Sequence, residues 1–129
     1  MKLATVILLG ASLSSLVFAQ QKPHAKVIKL VGDSKEQSLL SGPPGTVSMR
    51  SGLITLQPRQ TVGKHTTGHH EEMLVILEGE GKMLFDDGTT LALAANHVLY
   101  CPPDTGHDVL NTGPGVLRYI YIVSSTDLK

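Results

Sequence analysis

The chain has 129 residues, with 11 basic and 11 acidic side chains and no net charge at neutral pH, a length that fits one domain. No basic cluster occurs, aromatic residues make up only 4% and tryptophan is absent, which argues against a nucleic-acid surface and against base stacking on an aromatic platform. The single cysteine, Cys101, excludes an internal disulfide, so stability has to come from packing, from a metal or from a partner subunit.

The first residues read as a targeting segment. Lys2 supplies a positive charge, Leu3 to Val17 is apolar apart from small and hydroxylic residues, and Val17-Phe18-Ala19 resembles a signal-peptidase site. The expectation is a secretory signal over residues 1–19 and an exported domain, periplasmic or secreted, over residues 20–129. An uncleaved anchor is the alternative, but the run is short for a spanning helix. No cysteine follows it, which excludes a lipoprotein anchor. After cleavage nothing attaches the chain to a membrane.

Gln20 to Lys26 reads as a loose arm, Val27 to Val31 as a short strand and Gly32 to Gln37 as a turn. Ser41-Gly42-Pro43-Pro44-Gly45 is a loop, and Val47 to Leu56 a strand that Pro58 ends. Met73 to Leu77 is too short for a helix and is bounded by Gly79 and Gly81, so strand is the better reading. Lys82 to Phe85 follows, with a hairpin turn at Asp86-Asp87-Gly88. Thr90 to Leu93 and Val98 to Cys101 are two more strands. Val109-Leu110 precedes a turn at Thr112-Gly113-Pro114-Gly115, and Leu117 to Val123 closes the series. No long amphipathic helical pattern occurs, and turn signals recur at the spacing of an all-β sandwich or barrel. Cys101, between an apolar run and Pro102-Pro103, reads as a small buried strand residue.

Chemistry concentrates between Gly63 and Gly79. His65, His69, His70, Glu71 and Glu72 lie there at the entrance to the apolar run, and His107 follows on a Pro- and Gly-rich turn. Nitrogen and oxygen donors at the mouth of a buried strand suit a first-row transition metal. Alternation puts Glu72 toward an interior, where a carboxylate needs a cation or hydrogen-bond donors, and Glu71 toward solvent. No nucleophile elbow, phosphate loop or Ser-His-Asp arrangement is visible.

Two segments resemble the cupin family. Its first motif runs glycine, histidine, histidine, glutamate, glycine. His65 stands seven residues before Glu72, and Glu72 is followed by six residues and then Gly79, all at family spacing. Arg59 takes the opening glycine position and Thr67 that of the second histidine. The second motif runs glycine, proline, glycine, histidine, asparagine, and is met by Asn96, Pro102, Asp104, His107 and Asn111. Asn and Asp tolerate left-handed backbone best among non-glycine residues.

The resemblance implies an all-β, single cupin-type β-barrel, a jelly roll or double-stranded β-helix. It implies one divalent transition metal (manganese, iron, nickel, copper or zinc) and a small-molecule ligand or substrate. The metal set is His65, Glu72 and His107, with His70 supplying the nitrogen that Thr67 cannot if the strand begins by residue 70; His69 reaching in from the loop is the other option. Asn111 would order its loop, and His24 and His97 match no ligand position. A metal-dependent oxygenase, isomerase or decarboxylase is one functional class, with Tyr100, Tyr119 or Tyr121 as acid or base near the metal. A non-enzymatic binding protein for a small ligand or for the metal is another, and a structural protein with a vestigial site a third. The family's habit of pairing through sheet faces or exchanged strands implies a homodimer.

Overall fold

The computed structural model describes residues 22–127. The expected signal over residues 1–19 and the start at Gln20 lie outside the described residues. Nine strands follow in order: β1 (Glu36–Ser41), β2 (Arg50–Leu56), β3 (His65–Thr66), β4 (His70–Glu78), β5 (Glu80–Phe85), β6 (Thr90–Ala94), β7 (Val98–Cys101), β8 (Gly106–Asn111) and β9 (Leu117–Ser125). They form a five-stranded sheet, β1-β2-β9-β4-β7, and a four-stranded sheet, β3-β8-β5-β6. Every pairing is antiparallel, and no helix occurs among the described residues. This is the expected all-β jelly roll, a double-stranded β-helix.

Alternation decides what each strand buries. On β4, Glu72, Leu74 and Ile76 face in, while Glu71, Met73 and Leu77 face out. Leu56, Leu74, Ile76, Met83, Leu93 and Leu117 are each at most 2% exposed and fill the space between the sheets. At about 1.5–3 kcal/mol per fully buried aliphatic side chain, such a layer is the main force holding the sheets together.

Two local expectations fail. Val27 to Val31 is not a strand but an exposed arm, tied down by one side chain. The Val31 amide donates to Gln37 Oε1 at 2.9 Å, and Gln37 Nε2 donates to the Lys29 carbonyl at 2.9 Å. The edge position beside β2 is taken by β1, which begins inside the predicted turn. Its sequence Glu-Gln-Ser-Leu-Leu-Ser has little strand propensity, and pairing with β2 overrides that. The strand predicted from Val47 starts at Arg50, and the two-residue β3 was not expected.

The departures from the motif glycines have a backbone signature. Arg59, Asn96 and Asp104 have φ of 68°, 66° and 52°, and they are the non-glycine residues with positive φ among the described ones. The turns keep the left-handed geometry that glycine would serve. Arg59 is the costliest of the three, since a long side chain lacks the local hydrogen bonds that ease Asn and Asp there. Arg59→Gly is expected to raise stability by up to about 1 kcal/mol, read as a higher midpoint in thermal unfolding, because relief of strain exceeds the added entropy of the unfolded chain. A lower midpoint would show that the Arg59 side chain contributes more than its backbone costs.

Candidate metal centre

The short strand β3 matters because of its partner. It pairs with β8 so that His65 lies directly opposite His107, with ring centroids 4.3 Å apart and the planes at 63°. Glu72 comes from the other sheet, on β4, flanked by Cys101 on β7 and Val123 on β9. Its carboxylate Oε2 lies 3.1 Å from His107 Nε2. Glu72 is 8% and His107 1% exposed, while His65 sits at the open rim. One donor atom from each of His65, Glu72 and His107 lies within 4.8 Å of the other two.

Backbone carbonyls set the ring tautomers. His65 Nδ1 is 2.8 Å from the Gly63 oxygen and His107 Nδ1 is 3.1 Å from the Thr105 oxygen. A carbonyl only accepts, so Nδ1 carries a proton in each ring, and in the neutral ring it is Nε2 that offers the lone pair, as in metal-binding histidines. His107 Nε2 is sealed from solvent and has no aligned hydrogen-bond partner despite the nearby carboxylate. A buried imidazole nitrogen 3.1 Å from a buried carboxylate, with a second imidazole converging on them, is a donor set that fits a divalent transition cation.

Burial by itself would lower the His107 pKa, but the Glu72 carboxylate, the Thr105 carbonyl and the Asp108 charge together carry it above the ordinary value. Cys101 Sγ is 3.6 Å from His107 Nδ1. Burial first, then the Glu72 charge, push this thiol up to about 11, against a hydrogen bond with Thr105. It packs as a neutral thiol behind the imidazole.

The remaining sequence candidates lie elsewhere. His70 shares the inward face of β4 with Glu72, but the converging group does not include it; Arg50 Nη2 stands 3.3 Å from its Nε2. His69 is exposed, and its carbonyl accepts from Thr126. Thr67, at the second histidine position, uses its hydroxyl to tie two loops, donating to the Pro102 carbonyl at 2.8 Å and accepting from the Thr105 amide at 2.9 Å. Asn111 is buried on loop contacts, donating to the Leu56 and Gly115 carbonyls and accepting from the Gly113 amide. His97 caps its own turn through the Ala94 and Ala95 carbonyls. Tyr100 points outward to Glu71, whereas Tyr119 and Tyr121 line the cavity.

That cavity has a volume of about 490 Å³ and includes Glu36 and Arg50, neither of which the sequence reading singled out. Strand parity carried the signal for Arg50, which alternates with Gly52, Ile54 and Leu56 on the inward face. Tyr121 lies across Gly52, where a Cβ would meet its ring at 2.6 Å, and donates to Glu36 Oε1 at 3.0 Å. Burial, then that carboxylate, raise the Tyr121 phenol to about 12.

An antiparallel double-stranded β-helix with histidine and carboxylate donors in its mouth defines a cupin. The chain belongs to the cupin family: the cupin-domain family model matches residues 52–123. Three solved structures are similar. The Schizosaccharomyces pombe Cnp3 cupin domain is 19% identical, with a TM-score of 0.63 over 70% of this chain and 63% of that one. This chain thus spans less than two thirds of that structure's length. A cupin 2 conserved barrel domain protein from Salinispora arenicola is 19% identical, with a TM-score of 0.65 over 80% and 92% of the two chains. A predicted oxalate decarboxylase from Thermotoga maritima is 17% identical, with a TM-score of 0.57 over 77% and 99%. At these identities the likeness carries the fold alone. No curated protein matches the sequence.

Proposed function

We propose that this chain is an exported, dimeric cupin that holds one divalent transition metal on His65, Glu72 and His107 and acts on a small organic molecule. One observation carries the reading: both imidazoles have Nδ1 committed to backbone carbonyls, so their Nε2 lone pairs and the Glu72 carboxylate are free to converge in one cavity. A cation bound there would supply Lewis-acid activation of a substrate oxygen or a position for dioxygen. The chain's own part is to orient the donors and to surround the substrate with the apolar walls of Ile54, Leu74 and Val109. Oxygenation, isomerisation and decarboxylation all remain within this chemistry. The predicted oxalate decarboxylase among the similar folds is compatible with the last of them.

The tyrosines favour a second reading, a binding protein without catalysis. Tyr121 is committed to Glu36, and Tyr119 is held far above its usual range by burial and by the Glu72 charge, so neither phenol is a base at neutral pH. Dimerisation draws support from the outer face of the five-stranded sheet, where Met73, Leu77, Val98 and Tyr100 are 37–61% exposed. Purified exported protein is expected to start at Gln20 by intact mass, to scatter light as a dimer and to contain about one metal per chain. Metal-free protein after purification in the presence of each of the five candidate ions would overturn the site.

The pH dependence has opposite signs in the two states. Without metal, His107 has a folded pKa above its unfolded value near 6.5, so its contribution to stability is fully present below about pH 6.5 and is lost as pH rises through the folded value. Metal binding needs the neutral ring and so weakens as pH falls through the same range. Melting temperatures with chelator and with zinc should therefore diverge as pH rises from about 5 to 8. A gap that ignores pH would count against histidine ligation.

A further inference from the structure

Two polar groups in the cavity are not used by the metal donors. The first is Tyr119, 3% exposed and part of the cavity lining. Among the described residues Tyr100 donates to Glu71 and Tyr121 to Glu36, but the Tyr119 hydroxyl makes no hydrogen bond. Its oxygen is not among the sealed unpaired atoms, so it opens on the cavity and is satisfied by what fills that space. The second is Arg50, always charged and exposed at the cavity's edge as the first residue of β2. The ion pairs among the described residues are Lys64–Asp86, His107–Glu72 and Arg118–Glu78, so Arg50 enters none, and its contact with the neutral His70 ring at 3.3 Å leaves its charge unbalanced. Lys64, the other cation of the lining, is held by Asp86 at 2.9 Å.

The charges then decide what fits. With a divalent cation on one carboxylate and two neutral imidazoles, the floor of the site is positive, and Arg50 adds a second positive charge at the rim. Glu36 also lines the cavity, but it forms no ion pair with Arg50 and accepts from Tyr121 instead. An apolar-walled site with uncompensated positive charge favours an anion over a neutral or cationic molecule. A guanidinium fork matches a carboxylate in shape as well as charge.

We propose that the cavity takes a small organic anion, one end of which meets the metal site while a carboxylate at the other end is held by Arg50, with Tyr119 donating a hydrogen bond to it from deeper in the cavity. This rests on the metal-site reading above. Arg50 is then a specificity-determining residue and Tyr119 a positioning one.

The test is calorimetric titration of zinc-loaded protein, freed of excess zinc, with malonate, acetate and uncharged malonamide. Malonate should bind at least about tenfold more tightly than malonamide. Arg50→Gln should lose about tenfold in malonate affinity while leaving acetate binding and zinc content unchanged, and Arg50→Lys should recover part of the loss. Added salt should weaken malonate binding to the native chain more than to Arg50→Gln. Tyr119→Phe, which keeps the buried ring, should weaken malonate a few-fold with zinc retained. Equal binding of malonate and malonamide, or unchanged malonate affinity in Arg50→Gln with zinc in place, would overturn the anion proposal and leave the metal site standing. Failure of the native chain to hold zinc would bring down both.

Discussion

Replacing Glu72 by alanine is expected to lower metal affinity by at least about a thousandfold while leaving the barrel folded. The magnitude follows from the small donor set. Groups that merely orient a ligand are worth about 10–100-fold each, and Glu72 is a donor in its own right, the one anionic member of the group. The fold should survive because a carboxylate 8% exposed among apolar neighbours is costly to bury. Its removal trades that cost against the lost contact with His107. Metal content and chelator-dependent melting are the readouts. His65→Ala and His107→Ala should follow Glu72→Ala, and His97→Ala should behave as the native chain. His70→Ala should keep its metal, since Arg50 occupies its Nε2. Loss of metal from His70→Ala would bring that histidine into the set, and undiminished metal in Glu72→Ala would remove the site altogether.

Replacing Gly79 by alanine should be the most damaging single methyl addition to the fold. Gly79 alone separates β4 from β5, so it carries the chain from one sheet to the other. Its φ is 81°, and a Cβ there would overlap the Val116 carbonyl oxygen. That carbonyl cannot retreat easily, because the next residue, Leu117, opens β9 and is fully buried. Left-handed strain contributes about 1 kcal/mol, and a backbone overlap of this kind adds a few more. A loss of about 3 kcal/mol or more corresponds to a melting temperature lower by more than about 12 °C in a domain of this size. Gly115→Ala is the control, since its Cβ would meet open space. A Gly79→Ala protein that melts with the native one would show that the corner relaxes freely.

The sequence made His65, Glu72 and His107 legible because motif spacing encodes strand register, and the inward parity of Glu72 with Leu74 and Ile76 was visible in the alternation. The pairing of β3 with β8 was not legible. It joins residues far apart in sequence, and two residues of strand leave no periodic trace. His70 shares the inward face of Glu72 too, but two residues along a strand stand about 7 Å apart, and its ring lies by Arg50 rather than with the three converging donors. Arg50 was overlooked for the converse reason. A charged residue opening a strand reads as solvated until its alternation with Ile54 and Leu56 is followed. The carbonyls that orient the histidines were hidden because backbone acceptors leave no mark in a sequence.

The three donors are divided between the sheets, Glu72 on the five-stranded one and His65 and His107 on the four-stranded one. Gly79 joins the same two sheets at the opposite end of β4. The same two sheets are thus tied covalently at the glycine and by chemistry at the mouth. A cation gripped by all three donors would staple one sheet to the other, so filling the mouth is expected to raise the resistance of the whole barrel to unfolding.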